Sequence, residues 1–269
     1  LKSGEYDTNN TSVMITQTGG CCRATNYIAF LRKALKDAGF AHVPVISLNA
    51  NGIEKNPGLK ISLALLKRAV MGLVYGDLLM NVLYRIRPYE KIRGSANALY
   101  EKWAQTCRYS LEGAEQSVFR RNIEGIVDDF DRIEIVNALK PKVGLVGEIL
   151  VKFHPTANNN VVQIVEDEGA EAVMPGLTDF LLYCAYNQNY KYRCLSGRKS
   201  AQVLGNIAIR IIEYFRRTYR EVLSASKRFY EPETIQSIAR GAETVLDLGH
   251  QAGEGWLLTG EMVELTNKG

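Results

Sequence analysis

Residues 12–16 (Ser-Val-Met-Ile-Thr) form a short apolar run bounded by polar segments, which predicts a strand. Past a glycine pair the apolar positions move to helical spacing: Tyr27, Phe30, Leu31, Ala34, Leu35 and Ala38 recur at i, i+3 and i+4, and Gly39 marks the helix end. A second strand is predicted at 43–48, with Pro44 favouring a strand start or an edge. A strand, helix and strand of this length imply parallel pairing through a right-handed crossover.

After a turn-rich break at 49–58 the pattern becomes helical, predicting helices at 61–85, 89–111 and 115–137, with Pro88 separating the first two and Tyr75, Leu79, Val82 and Ile86 on a buried face. A second α/β unit follows, with strands at 142–149 and 170–175 around a helix at 160–168. Further helices are predicted at 178–186, 200–230 and 232–245, and a glycine loop then enters an amphipathic helix ending near 265. The expected fold is α/β: two parallel-sheet, Rossmann/flavodoxin-like units at 1–59 and 141–269, the second carrying C-terminal helices, around a helical subdomain inserted at 60–140.

Composition narrows the function classes. The chain has 269 residues, of which 46% are hydrophobic and 23% charged, enough for a sizeable core. No window approaches the ~20 uninterrupted apolar residues of a membrane span. The net charge of +4 comes from 33 basic and 29 acidic residues that are well mixed, so neither nucleic acid nor membrane is expected as a partner. Five cysteines without regular spacing (Cys21, Cys22, Cys107, Cys184, Cys194) argue against a disulfide scaffold and for a reducing cytoplasm. The chain opens on Leu1 without a signal-peptide pattern, which reads as a region of a longer polypeptide.

Candidate chemistry gathers at two strand ends. In Gln17-Thr18-Gly19-Gly20-Cys21-Cys22-Arg23, the glycines permit close backbone approach, and the thiols stand at a helix start, where thiolate is favoured. Thiolate is the form that binds iron; as plain structure the same residues make a tight turn with inert cysteines. At the second strand unit, Glu148 and His154 suit proton transfer, Gly147 and Lys152 can join them, and Asn158 to Asn160 suit helix capping, although a histidine before proline is also an ordinary surface residue. Cys107 and Cys184 read as packing residues. Lys191, Arg193, Arg198 and Lys199 could meet phosphate groups or form a solvated face, and the helix bearing Arg216, Arg217, Arg220, Lys227 and Arg228 reads as exposed surface.

Three segments, 17–27, 143–160 and 250–269, together resemble the large CoA-substrate-specific enzyme activases related to 2-hydroxyglutaryl-CoA dehydratase, in the dehydratase-like portion that follows the ATPase modules. The resemblance implies an iron–sulfur protein of anaerobic, ATP-driven low-potential electron transfer, with a 4Fe-4S cluster, an ATP-hydrolysing activase module as partner in the same or a separate chain, a 2-hydroxyacyl-CoA-type substrate, and room for a homodimer. On it Cys22 matches the motif cysteine and becomes the iron ligand, Gly19 and Gly20 admit the cluster, and Arg23 balances its charge. Further family cysteines, in CxPxK-type and PFGCLP-type segments, are not in this sequence, nor is a Walker motif or an actin-like phosphate loop. Two other readings stay open: a non-catalytic interaction or regulatory module, and a CoA- or nucleotide-binding domain.

Overall fold

The computed structural model describes residues 1–18, 22–49, 54–56 and 61–268. The chain divides into two compact units, Leu1–Ile61 and Ser62–Gly269.

In the first unit, β1 (Val13–Thr16) pairs in parallel with β2 (Val45–Leu48), Val13 opposite Val45 and Thr16 opposite Leu48. Helix α1 (Tyr27–Asp37) makes the connection. Pro44 directly precedes β2, and its carbonyl accepts from the Val13 amide, so the residue that cannot donate sits where no donor is needed. Gly39 has φ +86°, and the Phe40 amide reaches back to the Leu35 carbonyl, closing the helix as predicted. The buried stripe differs from the predicted one. Ala24, Ile28 and Leu35 face inward, whereas Phe30 is 66% exposed. Leu31, Leu35 and Ala38 keep to the inner side as expected, and Ile28 takes the place expected of Phe30.

The second unit is mainly helical. Helices α2 (Leu63–Ile86), α3 (Ser95–Gly113) and α4 (Gln116–Asp131) lead to β3 (Lys142–Gly144), the short helices α5 (Ile149–Phe153) and α6 (Val161–Asp167), and β4 (Glu171–Val173). Then come α7 (Leu177–Cys194), α8 (Lys199–Ala225), α9 (Ile235–Glu243) and α10 (Gly255–Lys268). Strands β3 and β4 are parallel, Lys142 opposite Glu171 and Gly144 opposite Val173. A single core runs from Leu78, Ile86, Phe119 and Phe130 to Leu182, Leu223, Ile235 and Trp256. The helices of the expected 60–140 subdomain and those beyond 177 therefore belong to one unit.

The described architecture is mixed α/β, with two small two-stranded parallel sheets in a mostly helical chain. Several predicted boundaries shift for identifiable reasons. Helix α3 begins at Ser95 rather than 89 because the Glu90 carboxylate accepts from the Gly94 and Ala96 amides and the Ser95 hydroxyl, capping the helix there. Helix α4 ends at Asp131 because the chain beyond it pairs with 89–91: the Lys91 amide donates to the Glu134 carbonyl and the Val136 amide to the Tyr89 carbonyl. Strand β3 stops at Gly144, since Glu148 already caps α5. No described helix is long and apolar enough to cross a membrane.

Candidate functional site

The first candidate site lies where β1 and β2 end. Gln17 is buried, its Nε2 donates to the Thr25 carbonyl at 3.0 Å, and its Oε1 accepts from the Ser47 hydroxyl at 2.7 Å. One side chain thus bridges the turn between strand and helix and ties it to the neighbouring strand. Asn49 donates to the Ser47 hydroxyl at 2.8 Å, and Asn56 exchanges bonds with the Ser47 backbone, completing an uncharged polar network. Cys22 is the capping residue of the 3₁₀ turn Arg23–Thr25 inside the loop that Gln17 closes, with a free, half-buried thiol. Arg23 follows it on the surface. Gly19, Gly20 and Cys21 lie outside the described residues.

A four-iron cluster needs four ligands, and the donor chemistry here is partial. Among the described residues no three His, Cys, Asp or Glu side chains gather as a metal-ligating group. Burial in α3 pushes the Cys107 thiol up to about 12, which makes it a packing residue. Cys184 is half-buried in α7, and Cys194 is exposed at that helix's last turn. Among the described residues Cys22 is the free thiol that stands at a strand-end turn, and a cluster on it would need its other ligands from elsewhere.

The second candidate site is built on α5. Glu148 caps this helix by accepting from the Val151 amide at 3.2 Å, while His154 closes its other end, exposed, with Nδ1 accepting from the Ala157 amide at 3.4 Å. The two therefore stand at opposite ends of one short helix, about 9 Å apart along its axis at 1.5 Å per residue. Asn158 caps the start of α6, its Oδ1 accepting from the Val161 amide at 3.3 Å, and its amide donates to the Val151 and Lys152 carbonyls of α5, each at 3.0 Å.

Sequence reasoning missed the partners that fold onto α5 from α10. Lys152 is buried, with Nζ 3.3 Å from each carboxylate oxygen of Glu261, itself 1% exposed. Glu254 lies beside them, 6% exposed, with φ +67° and an Oε2 that has no hydrogen-bond partner. Burial, and then the nearby Glu148 carboxylate, push Glu254 up to about 7, against the pull of Lys152 and the Ile149 amide. Burial likewise pushes Glu261 up to about 7, with Lys152 opposing. Burial thus favours the protonated form of both carboxyls while Lys152 favours the charged one, and both are shut away from solvent. Only the glycine loop entering α10 was visible in the sequence; that it reaches α5 is a tertiary fact.

A cavity of about 170 Å³ lies against β3, β4 and one face of α2, lined along the strands from Lys142 and Glu171 to Gly144 and Val173. Its deep end is filled by internal pairs. Asp77 accepts from the Leu177 amide at 2.8 Å, the Thr178 amide at 2.9 Å and the Thr178 hydroxyl, capping α7 from another helix. Burial raises the Asp77 carboxyl above the ordinary range, and these donors oppose the rise. Gly176 allows the approach, since a Cβ there would stand 2.5 Å from Asp77 Oδ2. Arg216, expected on the surface, is 1% exposed, with its guanidinium 2.9 Å from Asp179 and 3.1 Å from Glu213. The helix terminus that a phosphate would use is thus occupied by a carboxylate of the chain itself. Lys191 and Arg193 are exposed on the last turn of α7, where positive charge complements the helix dipole. Compared with protein-family models, curated proteins and solved structures, the chain has no match in any of the three.

Proposed function

We propose that this chain is the iron–sulfur, dehydratase-like component of an ATP-driven low-potential electron-transfer system acting on 2-hydroxyacyl-CoA-type substrates, working in the cytoplasm with an ATP-hydrolysing activase module. The observation that carries the proposal is the Gln17 clamp, which holds a half-buried free thiol, Cys22, in the turn beyond a parallel strand. The resemblance of 17–27 to the activase-related family supports the same reading. Each two-stranded pair is then a reduced Rossmann/flavodoxin-like layer.

A bound cluster would supply single low-potential electrons. The chain's own part is to hold iron through Cys22, to tie the segment at Thr25 that follows it to the neighbouring strand through Gln17 and Ser47, and to set positive charge next to it in sequence through Arg23. Glu148 is engaged in capping α5 and His154 stands at the surface, so neither is needed for this role.

The test is anaerobic reconstitution of the full-length polypeptide with iron and sulfide, followed by electron paramagnetic resonance after reduction. A cluster signal is expected, abolished or changed in g values by Cys22→Ala and unaffected by Cys194→Ala, whose side chain is exposed. Absence of any signal, or a signal indifferent to Cys22→Ala, overturns the proposal.

A further inference from the structure

Helix α8 buries one face and leaves another bare. Ile209, Ile212, Phe215, Tyr219 and Leu223 pack into the core, whereas Leu204, Ile207, Ile211 and Tyr214 stand 66%, 45%, 43% and 52% exposed. Their spacing of three, four and three residues keeps the exposed four on one stripe, about 80° wide at 100° per residue and about 15 Å long. Single exposed apolar side chains are ordinary, but four in register along one helix mark a contact surface. A three–four spacing is the seam by which one helix meets another.

The charge beside the stripe has one sign. Between Asp179 and Glu213 the sequence holds no acidic residue and five basic ones, Lys191, Arg193, Arg198, Lys199 and Arg210, all exposed. On α8 itself Lys199, Arg210 and Arg217 fall along the same edge of the stripe, within about 20° of one another. Lys199 and Arg210 make no ion pair with a described residue, and Arg217 stands 3.8 Å from Glu221. The other carboxylates of α8 and of the helices packed on it already have partners. Glu213 faces Arg216, Asp179 of α7 faces Arg216, and Asp77 of α2 holds the α7 amides. On α4, Glu124, Asp128, Asp129 and Asp131 face Arg120, Arg132, Lys102 and Arg228. Asp247, which reaches the last turns of α7, accepts from the Tyr190 hydroxyl and the Gly249 amide.

We propose that this face of α8 receives an amphipathic helix of a partner protein whose apolar seam is flanked by carboxylates. The partner's apolar side chains lie along Leu204, Ile207, Ile211 and Tyr214, and its acids along the edge formed by Lys199, Arg210 and Arg217. A second copy of this chain is the poorer occupant, because it brings the same unpaired cations and, from 180 to 212, no acid to meet them. The regular spacing favours a helix over a lipid surface, which imposes no register. The face belongs to the second unit and is independent of iron on Cys22.

The probes are two labelled peptides of three heptads, both with leucine at positions a and d, one carrying glutamate and the other lysine at e and g. Like charges keep each from pairing with itself. In fluorescence anisotropy with the full chain at low salt, the glutamate peptide is expected to bind with a Kd of about 0.1 mM or tighter, as suits a contact below the standard interface size. The lysine peptide should bind at least about tenfold more weakly. Arg210→Glu should cut that preference about tenfold, and Ile207→Ser should weaken the glutamate peptide at least about fivefold. Both residues are exposed, so neither change reaches the core. No binding of the glutamate peptide up to about 1 mM, equal binding of the two peptides, or indifference to both substitutions overturns the proposal. A dimer in analytical ultracentrifugation that Ile207→Ser dissolves would give the face to a second copy. Retention on phosphatidylserine vesicles that the same change abolishes would give it to lipid, and either result also overturns the proposal.

Discussion

Glu254 combines left-handed backbone, burial and one carboxylate oxygen without a hydrogen-bond partner, a setting in which a proton is cheaper to keep than a charge. The groups that face it are Glu148 and the Ile149 amide on α5, and Lys152, which is already paired with Glu261. Its native value of about 7 lies above the ordinary 4.5. Between those values the native protein keeps a proton that the unfolded chain releases, so this contribution is complete below 4.5 and is lost as pH rises through about 7. Glu254→Gln removes the dependence. It should stabilise the second unit by about 1–3 kcal/mol at pH 8 and leave it nearly unchanged at pH 5, read by urea unfolding at both values. An equal offset at the two pH values would mean that packing, not a proton, sets the effect. Glu261→Gln has the opposite sign at neutral pH, because it strands the buried Lys152, at a cost of about 3–5 kcal/mol. Gln17 carries a prediction of its own. Gln17→Ala leaves the Thr25 carbonyl and Ser47 hydroxyl without their partner, loosening the turn by about 1–3 kcal/mol. Alkylation of Cys22 should then accelerate at least about fivefold, and an unchanged rate would remove the clamp from the argument.

Among the elements, α9 and α10 pack through Gly260, where an added Cβ would stand 2.6 Å from both the Ile238 carbonyl oxygen and its Cγ2. Glycine to alanine inside a helix ordinarily gains about 1 kcal/mol. Here the sign should reverse, since a backbone carbonyl cannot yield as a side-chain tip can, and Gly260→Ala is expected to cost about 1–3 kcal/mol in thermal or urea unfolding. A gain would show that the helices separate readily. This contact also illustrates what the sequence conveys. The Gly39 stop, the Pro44 strand start and the apolar run of α2 were legible, because each follows from local steric rules or a period within one element. The end of α4 was not, since it depends on residues 89–91 pairing back across more than forty positions. Nor was the burial of Arg216, because on α8 it is one of several arginines, and only the α7 carboxylate of Asp179 distinguishes it. The candidate sites divide in the same way. Cys22 was readable from its motif, whereas Lys152, Glu254 and Glu261 meet only once α10 lies against α5.

At the scale of the whole chain the two units are unequally built. Among the described residues of the first, the fully buried apolar side chains are Ala24, Ile28, Leu35 and Val43 around one parallel strand pair. The second has a continuous core that includes Trp256, Phe119, Phe130, Leu78 and Leu223. A two-stranded sheet with one helix is marginal by itself, and a segment of this size buries too little surface to approach the stability of a larger domain. Amides opening through the first unit should therefore exchange with solvent at lower free energy than those of the second. The β1 and β2 amides, including those of Val13 and Gln17 that bond across the pair, are expected to exchange on the order of 100-fold faster than the buried turns of α2, a difference of about 3 kcal/mol. Hydrogen exchange followed by mass spectrometry at one pH reads both units in a single experiment. Equal protection would mean that the chain opens as one cooperative body, and would require the first unit to draw on stabilisation beyond the buried apolar side chains of its described residues. Faster exchange would instead leave the turn that holds Cys22 the most readily opened of the two candidate sites, a state that iron binding should suppress, because a ligand held only by the folded form stabilises that form.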